Sequence, residues 1–129
     1  MPPTHWSLRK HRPAIEVVLS THPIRRSCRL IADTGAGTIH SALQLVLKKS
    51  DCLRSGALHI GESQLTGAYT GTFDVYLVEI QVPSLGFRDF VPAIGVARMP
   101  LSFDGIACFK FLNRFHYGNF GDPDSFGLE

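Results

Sequence analysis

A single aspartate in a glycine-rich turn is the feature of this sequence best suited to chemistry. The run at residues 30–38 reads LIADTGAGT, so apolar residues lead into Asp33, and Thr34 and Gly35 follow it. Glycine lets backbone N–H groups approach a carboxylate closely. Two carboxylates in contact share one proton, because like charges a few ångströms apart cannot both ionise. Such a pair activates water with its ionised member and polarises a carbonyl with its protonated member. The chain has one Asp-Thr-Gly sequence and therefore supplies one carboxylate of such a pair.

The run at residues 30–38 resembles the active-site signature of the retropepsin-like aspartic proteases, in which hydrophobic residues precede Asp-Thr-Gly-Ala. This resemblance implies an aspartic endopeptidase whose catalytic residues are Asp33, Thr34 and Gly35. Asp33 would activate water, Thr34 would brace the turn against its counterpart, and Gly35 would open the backbone. Because the signature occurs once, the resemblance implies a homodimer in which each subunit contributes one aspartate. It also implies a peptide or protein substrate and no metal or cofactor.

A second landmark of that family is a glycine-rich hairpin, the flap, which closes over bound peptide. Residues 66–71 occupy this place, about thirty residues after the signature. The resemblance implies that both the flap and the residues directly after the signature bind substrate. The substrate-binding residues are then Ala36 and Gly37 after the signature, and Gly67, Ala68, Tyr69, Thr70 and Gly71 in the flap. An ordinary hairpin loop is the alternative interpretation of residues 66–71.

The third landmark is a strand of two hydrophobic residues and a glycine that packs beside the catalytic turn and leads into a helix. Residues 106–108 stand at this place, but Cys108 replaces the usual glycine, and Lys110 stands where an acidic or amide residue is common. We interpret Cys108 as a small buried apolar residue. It is not a predicted nucleophile, because no histidine is placed by a recognisable motif to activate it. A thiol that crowds the turn would leave a dimer that binds extended peptides and cleaves them poorly, which is the alternative function.

Two other interpretations of the Asp33 turn are open. An aspartate before glycine can simply cap its own backbone in a turn between strands. The run also resembles the phosphate loop of actin and sugar-kinase ATPases, although that loop belongs to a much larger two-domain α/β chain. A Walker phosphate loop is excluded, since no Gly-Lys-Ser/Thr follows.

Length and composition limit the remaining possibilities. The 129 residues, 44% of them hydrophobic, suit one compact domain and are too few for a two-lobed aspartic protease. A net charge of +2 predicts no nucleic-acid partner, and the basic residues near the N-terminus are interpreted as a solvated cluster. Three cysteines and six scattered histidines predict neither a disulfide framework nor a metal site. With no apolar run of membrane-spanning length and no signal-peptide core, no membrane partner and a cytoplasmic location are expected.

Many short strands separated by turns predict a mostly β fold, either a sandwich or a small closed barrel. The resemblance implies an all-β, closed barrel-like lobe with one short helix near the C-terminus. We expect a flexible basic tail at residues 1–12 and one domain over 13–129, with a C-terminal extension from about 116. Strands are predicted at Ala14–Ser20, 27–32, 41–47, Leu58–Leu65, 73–82, Phe87–Val96 and 106–108. Residues 41–47 also fit a helical face. Turns are predicted at 21–23 and 83–86, a polar loop at 48–56, and an edge position or bulge at Pro92.

Overall fold

A computed structural model describes residues 2–20, 25–67, 69–99 and 102–129. The protein is mostly β, with 55% of residues in strands and 11% in helices. The ten strands of the described residues, in chain order β1 to β10, are Thr4–Ser7, Ala14–Ser20, Arg25–Asp33, Leu45–Lys48, Leu58–Leu65, Gly71–Val82, Phe87–Val96, Gly105–Cys108, Tyr117–Gly118 and Ser125–Leu128. The two short helices of the described residues, α1 and α2, are Lys49–Arg54 and Phe109–Leu112.

Six of the strands close into a barrel. The hydrogen-bonded order is β2-β3-β8-β4-β7-β6, and a further pairing of β6 with β2 completes the ring. β5 lies outside this ring and pairs with β6 alone among the described strands. The closed barrel that the sequence left as one of two possibilities is therefore confirmed.

The alternation of side chains along β2 and β3 explains why these segments form barrel strands. In β2, Ile15, Val17 and Leu19 are fully buried, whereas the residues between them are only partly covered. The partner strand β3 buries Cys28 and Leu30 in the same way. Successive side chains of a strand point to opposite faces, so one face of this hairpin fills the barrel interior.

Several predicted elements are confirmed and others are wrong. The strands predicted at Ala14–Ser20, Leu58–Leu65 and Phe87–Val96 have these bounds in the structure, and a 3₁₀ turn at Pro83–Leu85 joins β6 to β7. The predicted turn at 21–23 lies outside the described residues. The strand predicted at 41–47 is shorter and later, since β4 begins at Leu45.

The polar loop predicted at 48–56 is wrong, because Lys49–Arg54 form helix α1, so the chain has a second short helix besides the one near the C-terminus. The helix buries Asp51 and Cys52 against the barrel, and this tertiary contact is not visible in the local sequence pattern. The expectation for Pro92 is also wrong, since β7 is an interior strand without a bulge. Pro92 is tolerated because it lies opposite Gln44, one residue before β4 begins. The Pro92 carbonyl accepts a hydrogen bond from Gln44 N, and no residue of β4 requires the N–H that proline lacks.

The two ends of the chain pair with each other. β1 is antiparallel to β10, which is also antiparallel to β9. The prediction of a flexible tail is therefore wrong for Thr4–Ser7, because backbone pairing with the distant C-terminus orders them. Phe126 and Leu128 of β10 are buried in the main core, so this second sheet packs on the barrel of its own chain.

Strand β8 lies close to both of its neighbours in the barrel. It runs parallel to β3 and antiparallel to β4. A Cβ atom at Gly105 would lie 2.4 Å from the carbonyl oxygen of Val46 and 2.8 Å from a side-chain carbon of Leu30. The absence of a side chain at Gly105 therefore allows β8 to enter between its neighbours. Among the described residues, no helix is both long and apolar enough to cross a membrane.

Candidate active site

Asp33 is the last residue of β3 and lies beside the end of β8. The parallel register pairs Leu30 with Gly105 and continues to Asp33, which lies opposite Cys108. Both strands end at this point, β3 in the Asp33 turn and β8 in helix α2. The element order expected of the third family landmark, a short apolar strand beside the turn followed by a helix, is therefore present at residues 105–112.

The Asp33 turn is held by backbone hydrogen bonds. Gly35 N donates to Asp33 Oδ1 at 3.0 Å, and Ala36 N donates to the Asp33 carbonyl at 3.2 Å. The carboxylate is exposed, and within the described residues it accepts no other hydrogen bond. This geometry agrees with a turn that caps itself, and it also leaves the second carboxylate oxygen free to meet a ligand.

Thr34 is exposed, and its hydroxyl makes no hydrogen bond to another described residue. The two glycines of the turn differ in what they accommodate. A Cβ atom at Gly35 would meet only Asp33 Oδ1, at an ordinary distance of 3.4 Å. Gly37 has a φ of +76°, and a Cβ atom there would lie 2.7 Å from Ser41 Oγ, so this position requires glycine. The contacts within one chain therefore explain why residue 37 is a glycine. Among the described residues, they leave Thr34 and Gly35 exposed and without hydrogen-bond partners beyond their own turn.

Residues 66–67 and 69–70 lie at the tip of the hairpin between β5 and β6. Leu65 pairs with Gly71, and Thr70 Oγ1 donates to the carbonyl of Gly67 at 3.1 Å across the tip. The Tyr69 hydroxyl donates to the carbonyl of Arg98 at 3.3 Å, and burial raises the pKa of Tyr69. The Tyr69 side chain thus connects the hairpin tip to the residues that follow β7, while Thr66, Gly67 and Thr70 are exposed.

An apolar cleft of about 240 Å³ lies between this hairpin and the Asp33 turn. Five segments line it: the turn, the loop into β4, β4 itself, the hairpin, and β8. Their lining residues are Asp33, Ala36, Gly37, Ser41, Leu43, Val46, Leu65, Thr66, Tyr69, Ile106 and Cys108. One carboxylate therefore faces a mostly apolar space, which is a common composition for a small-molecule or peptide site.

The structure brings some of the predicted site residues together and leaves others apart. Asp33, Ala36, Gly37 and Tyr69 all line the cleft, whereas Thr34, Gly35, Gly67, Thr70 and Gly71 do not. Ala68 lies outside the described residues. The sequence interpretation missed Ser41, Leu43, Val46 and Leu65. Leu43, Val46 and Leu65 are apolar residues on strands or just before one, and an apolar residue there does not by itself separate cleft lining from core.

Cys108 is buried at the base of the cleft, with 6% of its surface exposed. Burial, and secondarily the negative charge of Asp33, raises the pKa of this thiol to about 12. The thiol is therefore neutral and a poor nucleophile at ordinary pH. The interpretation of Cys108 as a small packed residue agrees with this placement.

A larger groove, of about 840 Å³, lies elsewhere, on the outer face of β5, β6 and β7. Its carboxylate, Glu79, is paired with Arg88 at 3.1 Å, and hydrogen bonds from Ser20 and Arg88 lower its pKa. No second carboxylate lines this groove among the described residues. Chemistry that needs an unpaired acid is thus better served by the smaller cleft at Asp33.

A scan of the chain against protein-family models and a search of curated proteins both return no match. Among the described residues, no group of three or more His, Cys, Asp or Glu side chains is placed to hold a metal ion. The functional assignment therefore depends on the site geometry and on the motif resemblance.

Proposed function

We propose that this protein is a retropepsin-like aspartic endopeptidase that works as a homodimer. In this proposal Asp33 of each subunit contributes one carboxylate of a pair that shares a proton. The ionised member takes a proton from water, and the protonated member donates to the carbonyl of the scissile peptide bond. Thr34 braces the turn against the same turn of the other subunit, and Gly35 leaves the backbone beside the carboxylates open.

The observation that carries the proposal is the apolar cleft that Asp33 shares with the β5–β6 hairpin. An extended peptide in this cleft would lie between the Asp33 turn and Tyr69. Backbone hydrogen bonds from a hairpin tip give affinity for an extended peptide, and apolar walls accept its side chains. The phosphate-loop alternative finds less support, because the fold is a mostly β barrel and not a two-domain α/β structure.

The exposed turn also supports the dimer. One chain leaves the Thr34 hydroxyl without a partner among the described residues, and nearby Ile39 is 52% exposed. The chain ends pair within their own chain, so we place the subunit contact at the Asp33 turn and not at an exchanged terminal sheet.

The test combines the oligomeric state with cleavage of unstructured peptides. We expect a dimer at micromolar concentration by sedimentation. We expect Asp33→Asn to reduce kcat about a thousandfold or more, because the amide cannot act as a base. Glu62→Gln, which changes an exposed carboxylate on β5, is the matched control and should retain activity. A strict monomer, or cleavage that survives Asp33→Asn, would contradict the proposal.

A second candidate function is a dimer of the same fold that binds extended peptides and cleaves them poorly. The observation that favours it is the Cys108 side chain, which lies opposite Asp33 where the related proteases have glycine. Peptide binding by the wild-type chain without cleavage would select this candidate. A bell-shaped dependence of kcat/KM on pH would select the protease, because a shared-proton pair must be singly ionised.

A further inference from the structure

The loop at residues 36–44 forms one wall of the cleft and has little structure of its own. Gly37, Ser41 and Leu43 line the cleft from this loop, which precedes the first residue of β4. Among the described residues, its internal hydrogen bonds all involve Thr38. Thr38 N donates to Ser41 Oγ at 2.9 Å, Ser41 N donates to the Thr38 carbonyl at 3.1 Å, and His40 N donates to Thr38 Oγ1 at 3.2 Å. The position of this wall therefore depends on contacts outside the loop.

Gln44, at the end of the loop, is held by the Pro92 carbonyl at 3.0 Å and by Arg114 Nε at 2.6 Å. Further contacts come from the junction of β8 and α2. Phe109 N donates to the Ala36 carbonyl at 2.9 Å, and Cys108 N donates to the Gln44 carbonyl at 3.0 Å. These two backbone bonds hold the first and last residues of the loop. Between them, Lys110 Nζ donates to the Ser41 carbonyl at 2.8 Å. Among the described residues, Lys110 is the side chain that holds the middle of the loop from outside it.

The Lys110 contact is of a strong type. A hydrogen bond from an ammonium to a carbonyl is charge-assisted and about twice as strong as one between neutral groups. Lys110 is half-buried, and no carboxylate among the described residues forms an ion pair with it. Its charge therefore acts on the carbonyl of Ser41, a residue that lines the cleft.

We propose that Lys110 is a positioning residue that fixes the cleft wall at Ser41 and Leu43 for substrate binding. This inference rests on the proposed peptidase function for its kinetic consequence. The carboxylate of Asp33 is held by Gly35 N, outside this loop, so loss of the Lys110 contact should leave the chemical step intact. The affinity for peptide should fall, because the wall would no longer be held in one place.

The test compares Lys110→Met, which keeps the length of the side chain, with Lys110→Arg, which keeps the donor. Lys49→Met is the matched control, since Lys49 donates to Asp74 and does not line the cleft. In the free protein, we expect Lys110→Met to speed amide hydrogen exchange at Thr38 and Ser41 about threefold to tenfold, while the amides of β3 remain unchanged. Lys110→Arg and Lys49→Met should exchange as the wild type does.

In peptide cleavage, we expect Lys110→Met to raise KM about threefold to tenfold with kcat within about twofold of wild type, the pattern of a lost binding interaction. Lys110→Arg should restore KM. Unchanged exchange at Thr38 and Ser41 would overturn the inference, as would faster exchange throughout the barrel together with a lower melting temperature. If the wild-type chain cleaves no peptide, the proposed function fails, and the exchange measurement still decides whether Lys110 positions the loop.

Discussion

The two ends of strand β3 carry charges in opposite circumstances. Near its start, Arg26 forms an ion pair with Asp51, whose side chain is 1% exposed, and a second with Asp104 at 3.0 Å. At its end, Asp33 is exposed and accepts one hydrogen bond, from its own turn. One strand thus presents a cation that is fully engaged and an anion that is almost free.

This difference separates a charge that is engaged in the fold from a charge that is left open to solvent. A buried carboxylate loses its hydration, so it is tolerated only when cations and donors replace the water. Arg26 serves Asp51 in this way at Oδ1, whereas Oδ2 is buried without a hydrogen-bond partner among the described residues. Asp104 is further held by Arg29 N at 2.9 Å. The Asp33 carboxylate needs no such support because it keeps its water. Its charge is therefore free to act on whatever enters the cleft.

The largest effect on stability is expected when the engaged end is broken. Arg26→Met removes the cation and leaves the Asp51 carboxylate buried without a partner. Loss of one member of a buried pair costs about 3–5 kcal/mol, and because Arg26 is partly exposed we expect about 2–3 kcal/mol. Urea denaturation measures this change in the free energy of unfolding.

Arg88→Met is the matched control for Arg26→Met. The Arg88 side chain is 68% exposed in its pair with Glu79, so its loss should cost less than about 1 kcal/mol. Equal losses in the two variants would show that the Arg26 pair is not a buried structural element and would remove the contrast between the two ends of β3.

Elements marked by their local sequence could be predicted, whereas elements held by distant contacts could not. β2 is rich in apolar, β-branched residues, and β7 begins directly after the turn at Pro83–Leu85, so composition and turn residues mark these strands. Helix α1 could not be predicted, because it is short and polar and is held by the contact of Asp51 with Arg26 on a distant strand. β1 has no regular spacing of apolar residues, and it is held by pairing with β10 near the other end of the chain.

The candidate site was predictable only where a motif marks it. Asp33 and the hairpin at residues 66–71 have recognisable sequences, and the structure places Asp33 and Tyr69 around one cleft. Ser41 follows no period and no motif, and the position of Lys110 in the third landmark does not reveal what its side chain contacts. Their contact depends on how the end of β8 meets the loop before β4, and that arrangement is set by the tertiary fold.

A smaller effect on stability is expected for Asp89→Asn. The Asp89 side chain is exposed like that of Asp33, but it forms an ion pair like that of Asp51. A hydrogen bond from Arg114, and then one from Phe90 N, lowers the pKa of Asp89. A lowered pKa in the folded state contributes stability that is present above the unfolded carboxyl pKa of about 3.9 and is lost as pH falls through the folded value. The stability advantage of wild type over Asp89→Asn should therefore shrink below about pH 4.

Urea denaturation of wild type and Asp89→Asn across that pH range measures this difference. Glu62→Gln is the control, since Glu62 is exposed and makes no ion pair among the described residues. The contribution of Asp89 is modest because half of its side chain faces solvent, where water and salt screen the pair. An advantage over Asp89→Asn that grew as pH fell would contradict the assignment of the pair.

The smallest effect on stability is expected at Asp33, where the effect on catalysis should be largest. Asp33→Asn keeps an oxygen that can accept from Gly35 N, and it removes an exposed charge that no cation among the described residues pairs with. At a concentration where the chain is monomeric, we expect the free energy of unfolding to stay within about 0.5 kcal/mol of wild type. A loss as large as that of Arg26→Met would show that Asp33 is a structural carboxylate, and the two ends of β3 would then be alike. Stability that is unchanged while cleavage is abolished would establish that the charge at this end of β3 is kept for chemistry.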